Sequence, residues 1–162
     1  MTESGVMTNR ELFRGSIMEM QGRVNQIPGA VQGEDLDKMC PLKHSFAPGL
    51  YVREIFIPKG TIIVGKIHKH EHPNFLMSGE AIVRTEAGGD QVLKAPLSMI
   101  SQAGTKRLIF AITDLVWITV HLNKEDTKDL KHLEDFIIAP SFEDFDNFKK
   151  LEAESPQKEI TV

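Results

Sequence analysis

The stretch Tyr51-Val52-Arg53-Glu54-Ile55-Phe56-Ile57-Pro58-Lys59-Gly60 opens the part of the chain that decides its fold. The run is rich in β-branched and aromatic residues and stops at a Pro-Lys-Gly turn. A β-branched run follows over residues 61–67, and residues 74–77 lead to a second turn at Ser78-Gly79. Ala81-Ile82-Val83 runs to Gly88-Gly89-Asp90, which reads as a hairpin loop. Strand-like segments recur at 91–94, 98–101, 107–113 and 115–121. Short strands parted by Gly/Pro turns every ~8–12 residues indicate a sandwich or barrel. Strands do not alternate with long helices, which argues against a parallel α/β sheet.

The flanks have a different period. Thr8 and Glu11 form a capping box, and Phe13, Ile17, Met20 and Val24 fall on one face of the helix that follows. Gly15 and Gly22 weaken this helix and Pro28-Gly29 ends it. Its apolar face needs cover from its own chain or from a neighbouring subunit. Residues 28–40 are Gly- and Asp-rich and read as an irregular connection. Beyond the strands, 126–134 and 141–152 have helical character, with Phe142, Phe145 and Phe148 on roughly one side as core packing. The last residues, 154–162, read as frayed. The expected division is an N-terminal helix and arm (1–41), a β-domain (42–122) and a helical tail (123–162).

The chain has 162 residues, 41% hydrophobic and 26% charged, which suits one globular domain and excludes a disordered or fibrous class. A net charge of −4 without a Lys/Arg run argues against nucleic acid as partner. The single cysteine, Cys40, cannot form an intrachain disulfide and reads as a small, semi-buried residue. Met1-Thr2-Glu3-Ser4 lacks a signal-peptide pattern and no stretch is long and apolar enough to span a bilayer. The expectation is a cytoplasmic protein with no membrane partner. Nucleophile-elbow, Walker, dinucleotide-glycine and His-Glu-x-x-His signatures are absent from the sequence.

Residues 58–79 resemble the first motif of the cupin family: Gly, five residues, His-x-His, three or four residues, Glu, six residues, Gly. Counted from Gly60, the two His positions fall on Lys66 and His68, the Glu position on His72 and the last Gly on Gly79. The second motif, Pro-x-Gly, two residues, His, is echoed by Gln102-Ala103-Gly104-Thr105-Lys106-Arg107, with Arg107 at the ligand position. The strings His44-Ser45-Phe46-Ala47-Pro48-Gly49-Leu50-Tyr51 and Asp114-Leu115-Val116-Trp117-Ile118-Thr119-Val120-His121 are similar to small cupins encoded by bacteriophages and prophages, a likeness over roughly residues 42–135. The resemblance implies an all-β cupin or jelly-roll β-barrel, with the N-terminal amphipathic helix and helical C-terminal tail outside it. It also implies a homo-oligomer, a dimer or trimer, since exposed sheet edges invite association. A phage-encoded protein would work in the host cytoplasm.

Four of the six histidines, His68, His70, His72 and His121, lie at strand ends. Neutral imidazole is a common ligand for first-row metals. On one straight strand His68, His70 and His72 would share a face. On the cupin template a turn at 69–71 sets His68 against His72 from neighbouring strands and leaves His70 exposed in the turn. Pro73 breaks a continuous ladder and favours the template. His121 completes a three-histidine set for a divalent metal (Zn, Fe, Ni or Mn). The competing reading has the same rings hydrogen-bonded in a polar barrel mouth, with no metal; Glu71 and His44 are weaker ligand candidates.

Lys66, Arg107 and Arg53 point to an anion. On the template Lys66 and Arg107 take positions that normally hold metal ligands, and a cation beside a metal is unfavourable unless an anion lies between them. The competing reading is a salt bridge of Arg53 or Arg107 with Glu54 or Glu80. Tyr51 and His70 join the ligand-binding candidates. Three functions are therefore expected in competition: a protein binding a small anionic metabolite or nucleotide-like molecule, a metal-dependent isomerase, epimerase or dioxygenase, and a structural phage component that uses the β-domain as scaffold.

Overall fold

The structure, a computed structural model, describes residues 8–28, 30, 34–85 and 89–155 of the chain. In chain order the elements are α1 (Asn9–Gln26), α2 (Glu34–Met39), β1 (Leu42–Ala47), β2 (Leu50–Ile57), β3 (Ile62–Val64), β4 (Ile67–His68), β5 (His72–Ser78), β6 (Glu80–Thr85), β7 (Gly89–Lys94), β8 (Leu97–Ser101), β9 (Leu108–Ala111), β10 (Leu115–Leu122), α3 (Leu130–Ile137), β11 (Ile138–Ala139) and α4 (Phe142–Glu154). Part of the expected hairpin loop, Gly88 with residues 86 and 87, lies outside the described residues, as do Gly29 and the tail from residue 156.

All strand pairs are antiparallel. Five strands form one sheet in the order β1-β2-β10-β5-β8, and four form another in the order β3-β9-β6-β7. β4 and β11 make a separate two-stranded ladder. The inner faces of the two large sheets share one core: Ile57, Leu76, Leu115 and Trp117 from the first meet Ala81, Val83, Ile109 and Ala111 from the second. Cys40 is buried in this core, pressed by Leu36 of α2.

The expected closed barrel is corrected here. The two large sheets share no strand pairing, and β1, β8, β3 and β7 remain edges among the described residues. The run 61–67, read as one strand, breaks at Gly65-Lys66. Its first part pairs with β9 and its second with β11, so no strand carries hydrogen bonds from one sheet into the other. At the break, Gly65 N donates to the Arg107 carbonyl at 2.7 Å.

Two turns require glycine. Gly79 has φ 91°, and a Cβ there would run into the Asp114 carbonyl and the Leu115 side chain. Gly104 has φ 80°, and a Cβ there would enter the Phe145 ring. Gly104 thus lets α4 lie close against the β8–β9 connection.

The helices cover the ends. The Thr8–Glu11 capping box forms as expected, with Thr8 N to Glu11 Oε2 at 2.7 Å. The apolar face of α1 is covered by its own chain: Ile17 is buried, Arg14 forks onto Asp146 of α4 at 2.8 and 3.1 Å, and its guanidinium lies 4.4 Å from the Phe142 ring centre. α2 falls in the stretch expected to be irregular; its first turn is acidic, which suits a helix N-terminus. Asp129 caps α3 by accepting from the Lys131 and His132 amides. Leu133 and Ile137 of α3 pack beside Tyr51, so this helix sits over one end of the space between the sheets.

Candidate functional site

Strand alternation and register build the site. β2 and β10 pair along their whole length, with Tyr51 opposite His121, Arg53 opposite Thr119, Ile55 opposite Trp117 and Ile57 opposite Leu115. Every second residue faces the same side, so these eight share the inner face of the five-stranded sheet. β1 adds His44 opposite Arg53, and β5 adds Asn74 opposite Thr119. Between this face and the second sheet lies a cavity of about 370 Å³, whose lining includes His68, His121, Tyr51, Arg53, Arg107 and Lys66.

His68, His72 and His121 converge. One ligand atom from each lies within 4.8 Å of the others, and the ring centres are 4.3 to 5.3 Å apart. His68 is held on β4 by pairing with Ile138 and by the Gly104 amide, which donates to its carbonyl at 2.8 Å. His72 opens β5 opposite Ser101, across the turn that the template required. Burial, reinforced by the neighbouring histidines and Arg53, pushes the His68 imidazole down to about 2 and that of His121 to about 3. Burial also lowers His72. All three rings are neutral at neutral pH, the form that ligates a metal.

A test of fit comes from His72. Its Nδ1 sits 3.0 Å from the His70 carbonyl, so that nitrogen carries the proton and donates. Its Nε2 then holds the lone pair; it is buried and has no partner among the described residues. An oriented imidazole with its other nitrogen fixed by a backbone carbonyl is the usual support for a metal ligand. The residues present therefore fit a divalent metal held by His68, His72 and His121.

The cations divide. Arg107 is half-buried, and its Nη1 donates to Asn74 Oδ1 at 3.2 Å and its Nη2 to Ser101 Oγ; burial brings it down to about 10. Neither Glu54 nor Glu80 pairs with it, and Glu80 instead takes Lys94 at 2.6 Å. Arg53 has no hydrogen-bond or ion-pair partner among the described residues. Lys66 does not point free charge into the site: it is 49% exposed at the cavity rim and pairs with Glu134 of α3. The expectation of an exposed His70 is also corrected, because its half-buried ring packs 4.8 Å from Phe136 and 5.4 Å from Phe148, away from the cavity. Glu71 is exposed in the turn.

Tyr51 is buried; its hydroxyl is 2.7 Å from His44 Nδ1 and its ring centre 6.0 Å from that of His121. Trp117 belongs to the core and lies 5.7 Å from the Arg107 guanidinium. Sequence reasoning missed Asn74. Fully buried, it donates to the His72 carbonyl at 3.1 Å and to Ser101 Oγ at 2.5 Å, and accepts from Arg107 and from Trp117 Nε1 at 3.2 Å. An asparagine in mid-strand between apolar neighbours, where β-propensity disfavours it, was the available signal.

No protein-family model matches the chain, and no curated protein matches it. Among solved structures it is similar to an RmlC-like cupin family protein with a double-stranded β-helix fold from Methanocaldococcus jannaschii (16% identity, 61% of this chain and 94% of that one, TM-score 0.45). It is also similar to ectoine synthase from P. lautus (13% identity, 49% of this chain and 60% of that one, TM-score 0.44). DMSP lyase DddQ from Ruegeria pomeroyi is similar at 15% identity, over 59% of this chain and 53% of that one, with a TM-score of 0.46. The chain spans little more than half the length of these last two. Among the described residues no helix is long and apolar enough to cross a membrane.

Proposed function

We propose that this protein binds a small anionic molecule in the cavity between its two large sheets, beside a three-histidine site competent for a divalent metal. One observation carries the reading: Arg53 and Arg107 face one cavity, and neither has a carboxylate partner among the described residues. A guanidinium withdrawn from water needs compensation by acceptors or an anion. Arg107 has two neutral acceptors and Arg53 has none. A metal on the histidines would deepen the imbalance, since like unit charges ~4 Å apart repel by ~4 kcal/mol at an effective dielectric near 20. An anion with two oxygens, a carboxylate or phosphate, relieves it and suits the arginine fork.

The test is titration calorimetry on the full chain, with native mass spectrometry of protein purified under mild conditions. A copurified anion, or saturable binding of carboxylates or phosphates that drops at least tenfold in Arg53→Ala and Arg107→Ala, supports the reading. Absence of any bound or titrating anion overturns it. Lys66→Ala serves as the contrast, because its charge is already paired at the rim.

The orphaned Nε2 of His72 favours a second reading, a metal-dependent enzyme of the isomerase, epimerase or dioxygenase type. A metal bound there would supply Lewis acidity toward the anion's oxygens. The chain's own contribution is positional. Arg53 and Arg107 orient the anion, α3 covers one end of the cavity, and His44 holds the Tyr51 hydroxyl. We further propose self-association, a dimer or trimer: Ile62, Phe110, Ile82 and Val92 form one apolar row straight across the outer face of the four-stranded sheet, and the same row on a second copy would cover it.

A further inference from the structure

We infer that the anion is a monocarboxylate on an apolar body, an aliphatic or aromatic acid, and not a phosphate or a polyhydroxylated anion. This rests on the anion reading above and narrows it.

The argument is the gradient along the paired strands β2 and β10. The first row is Tyr51 and His121, the second Arg53 and Thr119, the third Ile55 and Trp117, the fourth Ile57 and Leu115. Along this strand pair the polar side chains therefore stop at the Arg53 row, and the two rows beyond it are apolar. The opposite sheet continues the pattern with Ile63 and Ile109, and α2 ends the cavity with Leu36 and Cys40, with Asp37 between them also on its lining. Arg53 and Ile57 are four residues apart, which at ~3.3 Å per residue separates their Cα atoms by ~13 Å. A charged head held at Arg53 leaves its body lying along those apolar rows.

Three polar side chains near Arg53 are already committed to protein partners. Asn74 uses both amide hydrogens on His72 and Ser101, and its oxygen on Arg107 and Trp117. Thr119 is engaged by His121 Nε2 at 2.9 Å, and the Tyr51 hydroxyl by His44. Sugar hydroxyls placed here would leave water without equivalent partners, which is unfavourable. A doubly charged phosphate has the same difficulty with its extra oxygens. A carboxylate needs two donors, which the free Arg53 fork supplies.

The experiment is calorimetric titration of the full chain, dialysed against chelator, with butyrate, hexanoate, octanoate, phenylacetate, inorganic phosphate and adenosine monophosphate. Octanoate is expected to bind one per chain and at least tenfold more tightly than phosphate or the nucleotide. Affinity should climb along the straight-chain series, by up to about fourfold per methylene, the burial gain of a CH₂ group. Arg53→Gln should lose tenfold or more, with Arg53→Lys retaining part of it, at unchanged thermal unfolding. Phosphate or nucleotide binding as tightly as octanoate, affinity independent of chain length, or octanoate binding that survives Arg53→Gln each overturns the carboxylate inference while leaving an anion site standing. No binding of any of the six overturns both.

Discussion

The Nδ1 of His72 is 3.0 Å from the carbonyl oxygen of His70, two residues earlier in the same turn. That bond commits one ring nitrogen and turns the other, unpartnered, into a buried cluster with His68 and His121. A local backbone bond thus prepares a long-range site.

Metal content follows from this. Elemental analysis of purified protein should find about one divalent ion per chain, with His68→Ala, His72→Ala and His121→Ala each losing it while keeping a folded circular-dichroism spectrum. Metal-free wild type that neither binds nor is stabilised by added Zn, Fe, Ni or Mn ions would count against the metal half of the reading.

Acid should destabilise the metal-free protein in a defined window. His68 and His121 have folded values near 2 and 3, below the ordinary 6.5 of the unfolded chain. The unfolded state therefore takes up these protons first. Stability is full above pH 6.5 and falls as pH drops toward the folded values, by at most ~1.4 kcal/mol per pH unit per histidine. Urea midpoints between pH 7.5 and 4.5 measure it, and His121→Asn should flatten the slope. Parallel slopes for variant and wild type would show that His121 does not carry the effect.

Asn74→Ala should cost about 3 kcal/mol or more, because it strands the Trp117 indole N–H and one Arg107 N–H in a buried setting. Chemical denaturation reads the loss. The variant should also weaken anion binding, since Arg107 loses its positioning acceptor; binding equal to wild type would detach Asn74 from the site.

Gly104→Ala should destabilise by about 2 kcal/mol or more, combining a positive φ with a collision against Phe145. Gly104 N also supports His68, so reduced metal affinity is expected alongside. Phe145→Leu in the same chain should relieve part of the clash, and a melting temperature unmoved by Gly104→Ala would contradict the packing described.

Val92→Glu tests the outer apolar row. Light scattering on the wild type should give a dimer or trimer mass and on the variant a monomer. A monomeric wild type would remove the self-association proposal.

Much of the fold was legible because its signals are local. β2 and β10 are rich in β-branched and aromatic residues, and each forms a strand at nearly its expected bounds. Thr8 and Glu11 announce the start of α1 through groups three residues apart. The turn from His68 to His72 was legible for the same reason, since Pro73 bars one straight ladder. What failed was pairing. The run 61–67 looks like one strand, but Gly65-Lys66 lets its halves take different partners, and closure of a barrel depends on partners that no local pattern specifies.

Sequence by itself determined that strands dominate the middle of the chain, that helices flank them, and that histidines and cations cluster near strand ends. Tertiary structure decided which of those groups meet. Lys66 and Arg107 hold comparable motif positions, yet Glu134 of α3 draws Lys66 to the rim while Asn74 and Ser101 keep Arg107 inside. His70 and His72 stand two residues apart, yet Phe136 and Phe148 take one ring and the cavity side takes the other. The physical reason is common to both. Burial and electrostatic pairing depend on residues brought near by distant parts of the chain, and those distances exist only once the sheets and helices have packed.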